Sequence, residues 1–208
     1  PDETTDDLYL VVKRTINGGT VRYIEWMSKP LDYGEAIEDG IYMDSAISYD
    51  GSPITSVTGL DHLEGETVDV LADGLYLTAE VEDGGFTLDT AASVIRVGLY
   101  TKRWIETVFL DSSPGDTIQT KAQTKRVRGV QIEVIESHGA WCGTDEDEMD
   151  RMQFDEFYTG DVPRRFTGYV EEHINDDYGR RKFVRIEQRE PYPFFVTSIT
   201  ARFEVSNE

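Results

Sequence analysis

The sequence predicts a nearly all-β protein, and three observations predict it. Apolar and polar residues alternate with period two along most of the chain, the rhythm of half-buried strands. Glycine, aspartate and asparagine punctuate these runs at roughly ten-residue spacing, as in small sandwiches and barrels. Only one stretch, residues 113–129, has the composition of a helix. The expected architecture is a β-sandwich-like domain built discontinuously from residues 1–53 and 101–208. A small β-barrel-like module, 54–100, is inserted in it, and at most one short helix is present.

The elements follow in order. DLYLVVKRTINGGTVRYIEWM, Asp7 to Met27, reads as two strands around Asn17-Gly18-Gly19, which supply the positive φ of a tight hairpin turn. Ser28 to Pro53 is rich in Gly, Asp and Pro and reads as a long surface connection with a short strand near Ile41 to Met43. From Ile54 to Tyr100 come five short runs, ITSVTGL, TVDVLAD, LYLTAEV, GFTLDT and SVIRVGLY, each bounded by Gly or Asp. A module this small is marginal alone and needs support from a neighbour. WIETVFLD, Trp104 to Asp111, precedes the helix candidate, in which Pro114 and Asp116 suit an N-terminus and Lys121, Lys125 and Arg126 a C-terminal end. VQIEVIES, Val130 to Ser137, is an alternating strand followed by an acidic loop. RRFTGYVEEHI and RRKFVRIEQRE read as strands joined by a hairpin turn over Asn175-Asp176-Asp177-Tyr178-Gly179. Pro191 and Pro193 interrupt the chain before a last strand in FFVTSITARFEVSNE.

Composition narrows the function classes. The chain has 208 residues, 38% hydrophobic and 11% aromatic, which suits a globular core rather than disorder. No apolar run is long enough to span a bilayer, so no membrane anchoring is expected. PDETTDD is the opposite of a signal peptide, and a start at Pro1 suggests a processed product or a piece of a longer polypeptide. The one cysteine, Cys142, excludes an internal disulfide and a cysteine zinc site, and reads as a partly buried structural thiol. With 41 acidic and 20 basic side chains the formal charge is −21. Such a chain cannot grip phosphate by bulk electrostatics. Its acidity fits a salt-adapted surface, a site for cations, or a surface that passes near DNA without adhering, and composition alone does not choose between them.

Two acidic clusters invite a chemical reading. GLDHLEGETVDVLADG gathers Asp61, His62, Glu64, Glu66, Asp69 and Asp73 around one of three histidines. Strand alternation places Val68, Val70 and Ala72 inward and sends the carboxylates, with Leu71, to the wet face, so the stretch reads as a fold signature. In GTDEDEMDRMQFDEF, Asp145, Asp147 and Glu156 match half of a calcium-loop pattern, but the sixth position is Asp150 where the pattern needs glycine. A loose structural divalent cation is the most that loop supports; otherwise no cofactor is expected. No nucleophile elbow, P-loop, zincin or dinucleotide fingerprint occurs, and no catalytic residue is assigned, so the chain is not expected to be an enzyme. Cations are clustered: Lys121, Lys125, Arg126 and Arg128 form one patch, with others at Arg164-Arg165, Arg180-Arg181-Lys182 and Arg185 to Arg189. They either offset neighbouring acids or meet acidic patches of another copy, and the first patch is the expected self-association or partner contact. Trp26, Trp104, Trp141 and Tyr158 could instead stack on sugars, an alternative in which a β module binds carbohydrate or a divalent cation at a host surface.

VKRTINGGTVRYIEWM, IYMDSAISYDG and especially VTGLDHLEGETVDVLADG resemble a known family. In that order, with SVIRVGLY and KRVRGVQIEV further on, they are similar to the C-terminal portion of the tail tubular protein B, or tail nozzle, family of podophages and prophages. The resemblance runs from about Leu8 to Val134, is weak from His138 to Tyr192, and returns at TSITARFEVSNE, which is similar to the family's ending. It implies a structural virion protein of a short-tailed phage, made in the host cytoplasm and placed in the tail. Its expected partners are other copies of itself in a ring when full-length, neighbouring tail adaptor and fibre proteins, and DNA passing through a channel.

Overall fold

The computed structural model describes residues 8–110, 123–154 and 162–206. Nearly all regular structure is strand, and every pairing is antiparallel. The chain divides into two compact units: Pro1–Tyr100 with Asp161–Pro163, and Thr101–Gly160 with Arg164–Glu208.

The first unit opens with the expected hairpin, β1 (Tyr9–Ile16) and β2 (Gly19–Trp26). Asn17 and Gly18 both have positive φ (44° and 71°), the mirror-image two-residue turn whose twist matches the strands it joins. Next, β3 (Asp44–Thr58), β4 (Thr67–Ala72), β5 (Leu75–Glu80) and β6 (Gly85–Leu99) form one sheet in the order β3-β6-β4-β5. Asp73 and Gly74, at φ 47° and 80°, repeat the same turn chemistry between β4 and β5. Val57, Leu60, Leu63, Val68, Val70, Leu88, Ile95 and Val97 build the core. The base of the hairpin adds Ile16 with Val21 and Tyr23 packed beside it.

The second unit holds two sheets. One has the order β10-β9-β12-β7, from β7 (Arg103–Glu106), β9 (Trp141–Gly143), β10 (Met149–Arg151) and β12 (Arg185–Gln188). The other has the order β11-β8-β13, from β8 (Lys125–Ser137), β11 (Phe166–His173) and β13 (Phe195–Val205). Val130, Ile132 and Val134 of β8 and Val170 of β11 share one core with Cys142 of β9 and Ile186 of β12, so the two sheets bury a common apolar layer. That is the sandwich-like arrangement the alternation predicts.

Several expectations change. The division at residues 53 and 54 fails because β3 runs through it as one 15-residue strand, pairing with β6 on both sides. Residues 1–53 therefore belong with 54–100. The 54–100 region is an open sheet with β3 and β5 at its edges, and not a closed barrel. The short strand near Ile41 to Met43 gives way to β3, starting at Asp44. GFTLDT and SVIRVGLY are a single strand, since Ala91 and Ala92 between them are compatible with extended backbone. Lys125 to Arg128 open β8 instead of ending a helix, and residues 113–122 of that helix candidate lie outside the described residues. The segment 175–179 joins strands of different sheets: β11 pairs with β8, and β12 with β7 and β9. Its Asp176 is held inward by Lys182 Nζ (2.6 Å), Thr144 Oγ1 (2.9 Å) and the Val127 amide (2.9 Å).

Candidate functional site

The residues from Gly59 to Gly74 are a structural knot. Glu64 accepts the amides of Asp83 (3.1 Å) and Gly84 (2.8 Å), and Glu66 accepts the amide of Asn17 (2.6 Å). Asp69 accepts the Tyr76 hydroxyl (2.8 Å) and the Tyr100 amide (2.9 Å). Asp73 Oδ1 accepts the amides of Ser93 (3.0 Å) and Val94 (2.8 Å). His62 places Nε2 3.0 Å from the Ser45 carbonyl, and its own carbonyl accepts the Tyr23 hydroxyl at 2.6 Å. The carboxylates are thus not merely solvated, as alternation suggested: four of them satisfy amides that turns and strand ends leave unpaired. Leu71, expected on the wet face with Asp69, is only 1% exposed. The turn Ile37–Asp39, carrying buried Ile37, lies against β6.

One consequence is measurable. Asp73→Ala strips an acceptor from two amides at once, and a buried donor left unmatched costs about 1–3 kcal/mol. The unfolding midpoint of the first unit is expected to fall accordingly in a urea titration, while Asp89→Ala, at an exposed position of β6, leaves it unchanged.

The predicted cationic patch is not an open surface. Lys125 is buried and donates from Nζ to the Leu110 carbonyl at 2.7 Å. Arg126 bonds Glu204 through Nε (3.0 Å) and Nη2 (2.9 Å) and lies over the Tyr178 ring. Arg128 Nε sits 3.1 Å from the other oxygen of Glu204. Lys121 lies outside the described residues. Arg126 and Arg128 therefore pair with Glu204 of β13, and Lys125 bonds the Leu110 carbonyl.

The acidic loop is equally local. Asp145 accepts the Asp147 amide at 3.1 Å, a turn-forming contact, and Glu146 pairs with Arg185 at 2.6 Å. Glu156 lies outside the described residues. Among the described residues, no three His, Cys, Asp or Glu side chains are placed to hold a metal ion. Trp104 and Trp141 each have arginines over their rings, Arg185 for the first and Arg151 and Arg189 for the second. Tyr158 lies outside the described residues.

Other polar features serve the fold. Glu187 is fully buried between Lys102, Arg185 and Arg189 at 2.8–3.1 Å. Cys142 is buried, and burial pushes its thiol up to about 12, with the charges of Glu172 and Asp150 adding to the effect. His138 packs against Tyr192 and Phe154, and burial drives it down to about 4, so it is neutral near pH 7. A shallow groove of about 440 Å³ lies by Arg128, His173 and Arg202, where Arg202 is paired with Glu171.

What sequence reasoning missed is on the hairpin. Register sets Tyr9 opposite Trp26, Val11 opposite Ile24 and Lys13 opposite Arg22, all on one face. Tyr9, Val11, Ile24 and Trp26 are 62%, 75%, 77% and 51% exposed. Val12, Arg14, Ile16, Val21, Tyr23 and Glu25 form the opposite face. Arg14 bonds Glu25 through Nε (2.8 Å) and Nη2 (2.7 Å), and Glu25 also accepts the Ser45 hydroxyl at 2.8 Å, which latches this face to β3. The signal was present in the sequence, since LYLVV and VRYIEW put apolar residues on both parities of each strand. A two-stranded ribbon with both faces apolar needs a cover on each.

No protein-family model matches this sequence, and no curated protein matches it.

Proposed function

We propose that this chain is a structural virion protein, part of the tail nozzle or tube through which a short-tailed phage ejects its DNA. It acts through ring self-assembly and contacts with adaptor and fibre proteins of the tail, and it resides in the virion after synthesis in the host cytoplasm. The observation that carries the reading is the uncovered apolar face of the β1–β2 hairpin, a surface suited to assembly. The resemblance in GLDHLEGETVDVLADG and its neighbouring phrases supplies the setting. The surplus of carboxylates suits a wall that repels phosphate, so that a duplex slides past without adhering.

The test is an electron micrograph series of the full-length protein mixed with its tail neighbours. Rings that incorporate the labelled chain are the expected result. Monomers only, under conditions in which the neighbours assemble, would count decisively against it.

A further inference from the structure

The outer face of the hairpin has two halves. Toward its open end, Tyr9, Val11, Ile24 and Trp26 form an apolar block. Nearer the turn, Lys13 and Arg22 stand directly across from each other. Like charges opposed across a strand pair repel, so this placement costs stability within the isolated chain. Neither side chain has an ion-pair or hydrogen-bond partner among the described residues, although the chain carries 41 acids against 20 bases. Several other cations are paired within the chain: Arg14, Arg96, Lys102, Arg126, Arg165, Lys182 and Arg185.

The geometry points to a head-to-tail contact between copies of this chain, in which the outer hairpin face of one copy receives the acidic segment Asp145–Glu148 of the next. Charge decides the mode. A two-fold contact of hairpin on hairpin would bring Lys13 and Arg22 toward the same pair of the other copy, adding repulsion to a face that already holds two unpaired cations. An acidic surface relieves that repulsion. Asp145, Glu146, Asp147 and Glu148 are four successive exposed acids, and Asp147 and Glu148 have no cation partner among the described residues. Half-buried Met149 follows them directly and can meet the apolar block. Two complementary surfaces on one chain make a heterologous contact, which closes into a ring or propagates as a filament. Its biological setting rests on the assembly reading above, but the contact itself does not.

Sedimentation velocity of the 208-residue chain over a concentration series tests it. The chain is expected to self-associate, and less so at high ionic strength because screening weakens the charged half of the contact. Lys13→Glu with Arg22→Glu is expected to weaken association roughly tenfold or more, and Asp147→Lys with Glu148→Lys to do the same. Combining all four substitutions restores association, which separates a direct contact from a folding defect. Ile24→Thr weakens association with little change in its salt dependence. A wild-type chain that stays monomeric, a Lys13/Arg22 variant that associates as well as wild type, or a combined variant that fails to recover would each overturn the proposal. None of these results alters whether the full-length protein enters tails, so the two readings fail separately.

Discussion

Replacing Glu187 with alanine is expected to lower the unfolding free energy of the second unit by about 3–5 kcal/mol, the cost of leaving a buried ion pair half-made. The carboxylate is 0% exposed, with Oε1 accepting from Lys102 (3.1 Å) and Arg185 (2.9 Å) and Oε2 from Arg189 (2.8 Å). Arg185 is itself buried, so it loses its innermost partner in a place water does not reach. Urea unfolding read by tryptophan fluorescence measures the loss, because Arg185 and Arg189 lie over Trp104 and Trp141. An unchanged midpoint would show that the exposed partners Glu106 and Glu146 suffice. The pH dependence has a definite sign. Burial alone would raise the Glu187 carboxyl, but hydrogen bonds from Arg189, Lys102 and Arg185 outweigh it and hold the group below its ordinary value of 4.5. A depressed folded value contributes stability that is present above pH 4.5 and lost as pH falls through the lower folded value. Glu187→Gln should flatten that acid limb.

Leu63→Ala is the second large effect, about 2–5 kcal/mol on the first unit. Leu63 has no exposure and sits in a one-turn helix, Asp61–Leu63. Its amide bonds the Leu60 carbonyl (2.7 Å), and its carbonyl accepts the Glu66 amide (3.0 Å). Glu64 and Glu66 tie the same turn to the strands around it, so the backbone cannot sink into the cavity that truncation leaves. A rigid cavity places the loss in the upper half of that range. Leu75→Ala, at a position 42% exposed on an edge strand, serves as the control and should change stability by less than about 1 kcal/mol. Near-equal losses at the two positions would refute the assignment of the Leu60–Leu63 turn to the core.

The two substitutions fall on opposite sides of what could be read from sequence. Leu63 lies in a stretch whose glycines and alternation announce turns and strands, and Val68 and Val70 are inward as period two requires. Glu187 lies in RRKFVRIEQRE, where alternation locates a strand but cannot say that all four residues of Arg185–Gln188 are buried. β12 is the inner strand between β9 and β7, and position within a sheet is a long-range property. The local pairing of the cationic patch was hidden for a related reason. Lys121, Lys125, Arg126 and Arg128 cluster in sequence, but a strand sends successive side chains to opposite faces, and β13 brings Glu204 alongside Arg126.

By itself, the sequence determined the class of structure, the first hairpin with its Asn17-Gly18 turn, the β4–β5 turn at Asp73-Gly74, and the inward set of β8. These depend on neighbours one to four residues apart, through the period of the pleat and the positive φ of a tight turn. Tertiary structure alone decided where the units divide, because β3 is held as one strand by β6, some forty residues away on average in this register. It decided that Asp69, Asp73, Glu64 and Glu66 bind amides, since their donors come from other strands and turns. It also decided that Tyr9, Val11, Ile24 and Trp26 are left exposed by the described residues. An apolar residue in a strand states only that it needs a cover; whether its own chain supplies one depends on what the fold brings to that face.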